Sequence, residues 1–314
     1  MRTNAQYGTN PEGWEGGPRE IVIKTSNVCN LACRTCAGWD TSYYWPEGKY
    51  YTETYATTRV HNGVRKPGND FVQVRDKQYH RADLWKIEDL QNVEKLSFFG
   101  GEPLLDKQHG ILLQRIVDAD RAKDTTLFYS TNGQQIGSHY EHLWAQFKRV
   151  EIFFSIDGVG SAFEYLRWPG NWEKTQRNID WFVDLPNRYP SVDWYFQGSQ
   201  CVSLINIADY QTGADWIEQR LGAVHFNIVD HPRHYRMTNI PDRYKQELAN
   251  TIKHQQIANY LTIESANINE LKRMIIWIKR QDLYRKQDYA KTFPNTYDLL
   301  AEHWHTVTEK DSTN

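Results

Sequence analysis

Cys29-Asn-Leu-Ala-Cys33-Arg-Thr-Cys36 follows the short apolar run Glu20-Ile-Val-Ile-Lys-Thr25, and the rest of the chain is interpreted from this stretch. The β-branched run predicts a buried strand, which places the cysteines on the loop after it. Three thiols separated by three and then two residues can ligate one face of an iron–sulfur cluster and leave a fourth iron without a protein ligand. The spacing therefore predicts a cluster with one iron open to chemistry.

Other thiol chemistry remains as an alternative for these cysteines. A zinc site needs a fourth ligand, and the nearest candidates are His61 and the distant Cys201. A disulfide framework needs an oxidising compartment and a small Cys-rich chain, whereas this chain has four Cys in 314 residues. Three unrelated buried thiols are the last alternative. The cluster is the favoured interpretation.

The length and charge of the chain limit its class and its partners. A chain of 314 residues suits one barrel-sized domain with an extension. Its 37 basic and 39 acidic residues give a formal charge of −2, so no global field attracts nucleic acid or an anionic membrane. The N-terminal residues lack the apolar core of a signal peptide, and no apolar run is long enough to span a bilayer. We expect a soluble, cytoplasmic protein, in which thiols stay reduced.

Strand and helix patterns alternate along the chain. After the strand at 21–23, β-rich runs predict five more strands at 94–99, 125–130, 150–156, 192–202 and 224–229. Helical patterns lie between them at 111–117, 142–148, 172–183 and 208–220. This alternation is typical of a parallel α/β fold. Six strands without a seventh or eighth predict a partial (β/α)6 TIM-like barrel, whose opening would admit a large substrate.

The chain is divided into three parts by composition. Residues 1–18 are rich in Gly, Asn and Pro and predict a flexible N-terminal arm, residues 19–235 form the core domain, and residues 236–314 form a helical C-terminal extension. The main helices of the extension are predicted at 244–260 and 268–289. The buried stripe of the second helix is Leu271, Met274, Ile275 and Ile278. Its basic residues are interpreted as a solvated face, with an anionic partner as the alternative: Lys272, Arg273, Lys279, Arg280, Arg285 and Lys286.

An insertion at 39–92 separates the first two strands of the core domain, and we call it the aromatic insertion. It is long against the usual connections of a β/α unit. Its first part is crowded with the rings of Trp39, Tyr43, Tyr44, Trp45, Tyr50, Tyr51 and Tyr55. Its later part is basic, with Arg59, Arg65, Lys66, Arg75, Lys77 and Arg81, and a helix is predicted at 81–90. The rings either pack on the barrel rim or form a substrate-facing flap, and we expect the flap.

The chain resembles the radical S-adenosylmethionine (radical SAM) superfamily in its cysteine triplet and in the order of the motifs that follow. The superfamily carries Cys-x-x-x-Cys-x-x-Cys on the loop after the first strand of a β/α barrel. The resemblance covers about residues 20–230 and implies that Cys29, Cys33 and Cys36 bind a 4Fe–4S cluster. The chain departs from the pattern of the superfamily at Thr35, where relatives often have an aromatic residue that packs against adenine.

The resemblance also implies an S-adenosylmethionine (AdoMet) site at the carboxyl ends of the strands, where barrel active sites collect. Gly100, Gly101 and Glu102 lie in a Gly-Gly-Glu motif, which the superfamily uses to bind the amino group of AdoMet. Ser155, Asp157 and Asn132 offer groups that suit the ribose hydroxyls, although turns and helix caps use the same residues. Arg167 matches a position where relatives often pair an arginine with the methionine carboxylate, and an exposed arginine is the alternative.

The implied activity is reductive cleavage of AdoMet to a 5′-deoxyadenosyl radical, which abstracts hydrogen from a substrate. An external one-electron reductant, flavodoxin- or ferredoxin-like, is the implied partner. The extension is loosely similar to the twitch and SPASM branch, which often acts on peptides, but no cysteine follows Cys201 to bind an auxiliary cluster. Cys201 is interpreted as a buried thiol. A peptide or protein side chain is the favoured substrate; a nucleoside or small metabolite, and a non-catalytic cluster-binding scaffold, are the alternatives.

Overall fold

The computed structural model of the chain describes residues 18–36, 41–55, 58–61, 64–67, 90–107 and 109–308. The predicted N-terminal arm lies outside these ranges except for its last residue. The same is true of the predicted helix at 81–90. Within them, no helix is both long and apolar enough to cross a membrane.

A six-stranded parallel sheet forms the centre of the molecule. Its strands are β1 (Glu20–Lys24), β4 (Lys95–Phe99), β5 (Thr126–Thr131), β6 (Arg149–Ser155), β7 (Asp193–Val202) and β8 (Val224–Ile228), and they pair in that order. The register places Leu96 beside Leu127 and Leu127 beside Val150, so the buried residues of adjacent strands share one face. In the described part of the chain, β1 and β8 form the two edges and do not pair with each other. The predicted partial barrel is confirmed.

A second sheet lies inside the aromatic insertion and was not predicted. It is an antiparallel pair of β2 (Thr58–His61) and β3 (Val64–Pro67). Each strand has four residues, a length at which the local pattern of the sequence gives little strand signal.

Helices of the core domain connect the strands. They are α1 (Trp45–Tyr55), α2 (His109–Asp118), α3 (Glu141–Trp144), α4 (Ser161–Leu166), α5 (Trp172–Val183), α6 (Leu185–Arg188) and α7 (Gln211–Leu221). Short 3-10 turns occupy Ser42–Tyr44, Pro103–Leu105, Ala122–Asp124, Ser138–Tyr140, Arg233–Tyr235 and Met237–Asn239. The helix predicted at 142–148 is shorter than expected, because α3 has only four residues after a 3-10 turn.

The described residues of the C-terminal extension, 236–308, form five helices: α8 (Asp242–Thr251), α9 (Gln255–Leu261), α10 (Ile268–Arg285), α11 (Tyr289–Thr292) and α12 (Pro294–Thr306). The single helix predicted at 244–260 is therefore two helices, α8 and α9. The helix predicted at 268–289 ends early because Lys286 adopts a left-handed conformation with φ of 55°. A residue in that conformation ends a helix.

Two hydrophobic cores pack against this framework. The first lies between the sheet and the helices α2, α3 and α5, and it includes Leu96, Leu127, Val150 and Phe154. The second joins the extension to the end of the sheet. The predicted stripe of α10, which includes Leu271 and Ile278, is completely buried in it. The extension therefore shares a core with the later part of the barrel.

The aromatic insertion packs against the extension. The ring of Tyr51 contacts that of Trp277 at 5.1 Å between centroids, and the ring of Tyr50 contacts that of Tyr284 at 5.0 Å. Tyr44 and Tyr51 are buried, while Tyr43 is 39% exposed. The expectation of a substrate flap is therefore wrong for Tyr44 and Tyr51, because Tyr51 of α1 packs on Trp277 of α10 and Tyr44, in the 3-10 turn before α1, lies beside Arg285 of α10. Trp39 and the side chain of Tyr55 lie outside the described residues.

The basic residues of α10 do not form the uniform solvated face that was expected. Arg280 and Arg285 are buried, each with 6% exposure. Lys279 donates from Nζ to the carbonyl oxygens of Trp304 and Val307 at the end of α12. The expectation is wrong for these residues, because α1, α12 and the core domain cover the part of α10 from which they project.

Candidate active site

The cysteine loop follows β1 and is fixed by backbone hydrogen bonds. Ala32 N donates to Trp168 O at 2.7 Å, and Arg34 N donates to Leu166 O at 2.8 Å. Cys36 N donates to Cys33 O at 3.0 Å, which makes a tight turn between the last two cysteines. Cys29, Cys33 and Cys36 are free thiols and are partly exposed. The loop therefore presents its thiols from a rigid backbone.

Burial disfavours the thiolate forms of Cys29 and Cys33. Burial raises the pKa of Cys29 to about 12, and the nearby Cys33 and Glu102 add to this effect. Burial also raises the pKa of Cys33, which the positive charge of Arg167 opposes. A bound metal centre reverses this preference, because a coordinating thiol is deprotonated outright.

Two side chains donate hydrogen bonds to the sulfur atoms. Asn132 donates from Nδ2 to Cys29 Sγ at 3.7 Å and to Asn30 Oδ1 at 2.8 Å. Arg167 donates from Nη1 to Cys33 Sγ at 3.8 Å. Soft thiolate ligands with N–H donors beside them suit an iron–sulfur cluster, whose properties depend on such bonds. In the described ranges, no three His, Cys, Asp or Glu side chains are grouped as ligands of one metal ion. The donor set, three thiols on one loop with N–H donors beside two of them, fits an iron–sulfur cluster.

Gly100 and Gly101 allow the loop after β4 to lie against the loop after β1. Gly100 has φ of +136°, and a Cβ on Gly101 would lie only 2.2 Å from Val28 O. Gly101 N donates to Ser26 O and Glu102 N to Val28 O, both at 2.8 Å. We expected these glycines to open the backbone toward a ligand. Instead, their missing side chains make room for the backbone that leads into Cys29.

The Glu102 side chain is completely buried. Its Oε1 accepts from Leu104 N at 3.1 Å and from Thr131 Oγ1 at 2.8 Å, and its Oε2 accepts from Asn132 N at 2.7 Å. Desolvation raises the pKa of Glu102, and these three hydrogen bonds oppose the rise. The expected direct contact of this carboxylate with an ammonium is therefore not what the geometry provides. Glu102 orients Asn132 and joins the ends of β4 and β5.

Asp157 and Arg167 contact each other at the end of β6. Arg167 Nε lies 2.9 Å from Asp157 Oδ2, and both side chains are largely buried. Asp157 Oδ1 accepts from Cys201 N at 2.8 Å. The separate roles expected for these residues, ribose binding and carboxylate binding, do not match this pairing, because each group already has a protein partner. Cys201 is partly exposed at the end of β7, where burial raises its pKa.

The sheet face opposite the helices is exposed, and we call it the open face. Alternate residues of the strands project from it: Phe99, Phe128, Phe153, Ser155, Tyr195, His225 and Asn227. The rings form a row, with centroids 5.3 Å apart for Phe99 and Phe128 and 4.8 Å apart for Phe128 and Phe153. Ser155 lies beside Ser199, whose Oγ accepts from Asn227 Nδ2 at 2.6 Å. The open face therefore combines aromatic rings with polar and charged side chains, because the register places Glu151 beside Phe128 and Gln197 beside Phe153.

Sequence reasoning missed several side chains of this site. Tyr44 donates from its hydroxyl to Cys33 O, and Glu47 and Arg285 form a buried ion pair. Arg34, between the second and third cysteines, is completely enclosed. The only sequence signal was the position of Arg34 inside the cysteine triplet.

Comparison with known proteins gives matches to one family. A family model described as the Radical SAM superfamily matches residues 23–189, just over half of the chain. A solved structure of a histidine-tagged anSMEcpe with bound AdoMet has 17% identity and a TM-score of 0.48, over 87% of this chain and 65% of that chain. Streptococcus suis SuiB bound to the precursor peptide SuiA has 14% identity and a TM-score of 0.38, over 88% and 51%. The chain thus spans less than two thirds of either protein. No curated protein matches the sequence.

Proposed function

The chain belongs to the radical SAM superfamily and is a radical SAM enzyme, and we propose that its substrate is a side chain of a peptide or protein. The cofactors are a 4Fe–4S cluster and AdoMet, as in the family. When bound, they supply a radical that removes a hydrogen atom from the substrate. The protein has to bind these groups, exclude water and position the substrate.

The cysteine loop is the proposed cluster site. Cys29, Cys33 and Cys36 would bind three irons, and Asn132 and Arg167 would steady two of the sulfur atoms. Ser155, the last residue of β6, is the proposed contact for an AdoMet hydroxyl. Asp157 and Glu102 serve as positioning residues in this proposal, because their carboxylates bind protein groups.

The open face is the single observation that carries the substrate proposal. It spans five strand-to-strand spacings, or about 24 Å, which is the length of roughly seven residues of extended peptide. Tyr195 and Phe99 on it are 36% and 38% exposed, so its rings can receive apolar side chains. A face of this width has room for an extended chain, whereas a small molecule binds in a concave pocket.

A nucleoside or other small metabolite is the second candidate. The aromatic row of the open face favours it, because a base stacks on such rings. The groove of about 530 Å³ between α2 and α3 is not its proposed site, because that groove lies on the helix-covered side of the sheet.

Anaerobic reconstitution followed by mass spectrometry of 5′-deoxyadenosine tests the proposal. With a flavodoxin- or ferredoxin-like reductant, peptides should stimulate 5′-deoxyadenosine formation and nucleosides should not. Tyr195→Ser should remove most of the stimulation and keep the slow formation without substrate. Ile111→Ser is the matched control, because Ile111 is an exposed apolar residue on α2, away from the open face. Stimulation by nucleosides alone would favour the second candidate.

A further inference from the structure

We propose that helix α10 of the extension is a working part of the cluster site, and that Arg34 and Glu47 are the positioning residues through which it fixes the cysteine loop. The role of the loop as cluster ligand rests on the function proposed above. The role of α10 in fixing the loop rests on contacts that the protein makes without a cofactor.

Arg34 connects the loop to α10 directly. Its side chain is completely buried and forms an ion pair between Nη2 and Asp282 Oδ1 at 2.6 Å. Nη1 donates to Gln281 Oε1 at 2.8 Å, and Nη2 also donates to Gln287 Oε1 at 2.9 Å. The guanidinium lies 3.7 Å from the ring centroid of Tyr165, to whose carbonyl oxygen Nε donates. A residue in the middle of the cysteine triplet is thus bound on every side by the extension and by α4.

Glu47 and Arg285 make the second connection, from the other end of the loop. Glu47 is in the first turn of α1, which follows the 3-10 turn Ser42–Tyr44, and its Oε2 accepts from Arg285 Nη2 at 2.8 Å. Both side chains are almost completely buried. The same guanidinium lies 5.6 Å from the ring centroid of Tyr44, whose hydroxyl donates to Cys33 O. A single side chain, that of Tyr44, therefore links Arg285 to the backbone of Cys33, a proposed cluster ligand.

These two buried pairs differ from the other ion pairs of the extension. Arg243 and Glu302 join α8 to α12, but both side chains are more than half exposed. Exposed pairs contribute little, whereas losing one partner of a buried pair is strongly unfavourable. The loop from Cys29 to Cys36 has no regular secondary structure, so these side-chain anchors add to the backbone hydrogen bonds of Ala32 and Arg34 in fixing where its thiols lie. The extension predicted as a separate part at residues 236–314 is therefore required by the site.

Thiol alkylation of the full-length protein without cofactor tests this inference. Arg34→Met should let an alkylating reagent modify Cys29, Cys33 and Cys36 at least ten-fold faster, because the loop is released. Cys201 is the internal reference, since its own backbone is bound to Asp157, and its rate should not change. The control variant Arg243→Met should leave all four rates unchanged. After reconstitution, Arg34→Met should also release iron to a chelator at least ten-fold faster than the parent.

The possible outcomes separate this inference from the proposed function. Equal rates for the three loop cysteines in parent and variant would overturn the inference, and so would a parallel rise at Cys201, which would indicate general unfolding. A parent protein that binds no iron would overturn the cluster assignment and leave the alkylation result intact. If Arg34→Met does not fold, Gln281→Ala and Tyr44→Phe each remove one contact, and each should raise the loop rates several-fold. Unchanged rates in both would overturn the inference.

Discussion

Arg167 and Asp157 form an ion pair with 2.9 Å between Nε and Oδ2, and the same guanidinium donates from Nη1 to Cys33 Sγ at 3.8 Å. Asp157 thereby fixes a positive charge beside a proposed cluster ligand. Hydrogen bonds to the sulfur atoms and local charge are two of the factors that determine the reduction potential of a cluster. Through this pair, residues at the end of β6 therefore influence the reduction potential of the proposed cluster.

Replacing Arg167 by Met should lower the reduction potential of the reconstituted cluster. The reduced cluster is more negative, so loss of a nearby cation and a charge-assisted hydrogen bond disfavours reduction. A bond of this kind is worth roughly 1.5 kcal/mol or more, which corresponds to a shift on the order of 60 mV for one electron. Potentiometric titration followed by electron paramagnetic resonance measures it. Arg177→Met, an exposed change on α5, should cause no shift, and an equal potential in both variants would contradict the assignment.

Each of the three loop cysteines should be required for iron binding. The anaerobically reconstituted parent should bind about four irons, and Cys29→Ala, Cys33→Ala and Cys36→Ala should each lose the absorbance of the cluster. Cys201→Ala should retain it. Iron analysis and visible absorption measure both results. Stoichiometric zinc instead of iron in the parent would refute the cluster.

Glu102→Ala should destabilise the protein, and it should weaken AdoMet binding by about ten-fold or more because Glu102 holds Asn132 and the ends of β4 and β5 in position. The carboxylate accepts three hydrogen bonds in a completely buried position. Each donor left without a partner costs roughly 1 to 3 kcal/mol, so the free energy of unfolding should fall by about 3 kcal/mol or more. Calorimetry and denaturant unfolding measure the two effects. Glu94→Ala, an exposed change just before β4, is the control; an unchanged stability of Glu102→Ala would contradict the role assigned here.

The strands were predictable from sequence because each is a β-rich run with polar residues at its ends. The predicted strand at 150–156 and the observed β6 at Arg149–Ser155 differ by one residue at each end. The end of α10 was not predictable, because the left-handed conformation of Lys286 is unusual for a residue other than glycine. Short elements such as α3 and the β2–β3 hairpin have too few residues for periodicity to identify.

The site was predictable in its location but not in its pairings. The cysteine triplet and the polar strand ends fall where parallel β/α folds place their functional groups. The pairing of Asp157 with Arg167 depends on how α4 brings the chain back to the end of β6, and the pairing of Glu47 with Arg285 joins residues 238 positions apart. Helical periodicity assigned Arg285 to a solvated face, because it cannot indicate that a second helix covers that face.

His109 should make the stability of the protein depend on pH below neutrality. It is completely buried at the start of α2, where Nδ1 contacts Asp106 O at 2.6 Å, and burial lowers its pKa from 6.5 to about 3. The unfolded chain binds the proton first as the pH falls, so stability is lost from pH 6.5 down to about 3, at about 1.4 kcal/mol per pH unit. His109→Gln should remove this part of the loss. Denaturant unfolding at neutral pH and at about pH 4.5 measures the loss of stability in the parent and in the variant. An equal loss in both proteins would contradict the prediction.

The last prediction separates the two kinds of ring in the aromatic insertion. Tyr51 is buried against Trp277 of α10 and donates to Glu47 Oε1 at 2.5 Å, whereas Tyr43 is 39% exposed and touches only the edge of Trp168 among the ring contacts described. Tyr51→Ala should therefore lower the free energy of unfolding by roughly 3 kcal/mol or more. Tyr43→Ala should change it little, since half-exposed rings bury less apolar surface.

For function, the expected order is the opposite: Tyr43→Ala, which changes stability little, should have the larger effect on activity. If the exposed ring faces the substrate, Tyr43→Ala retains the cluster and the slow formation of 5′-deoxyadenosine but loses the stimulation that substrate gives the parent. Melting temperature and 5′-deoxyadenosine formation with and without substrate measure both effects. A large fall in melting temperature for Tyr43→Ala, together with loss of the cluster, would show that this ring is structural as well. The whole described part of the insertion would then serve to dock α1 on α10.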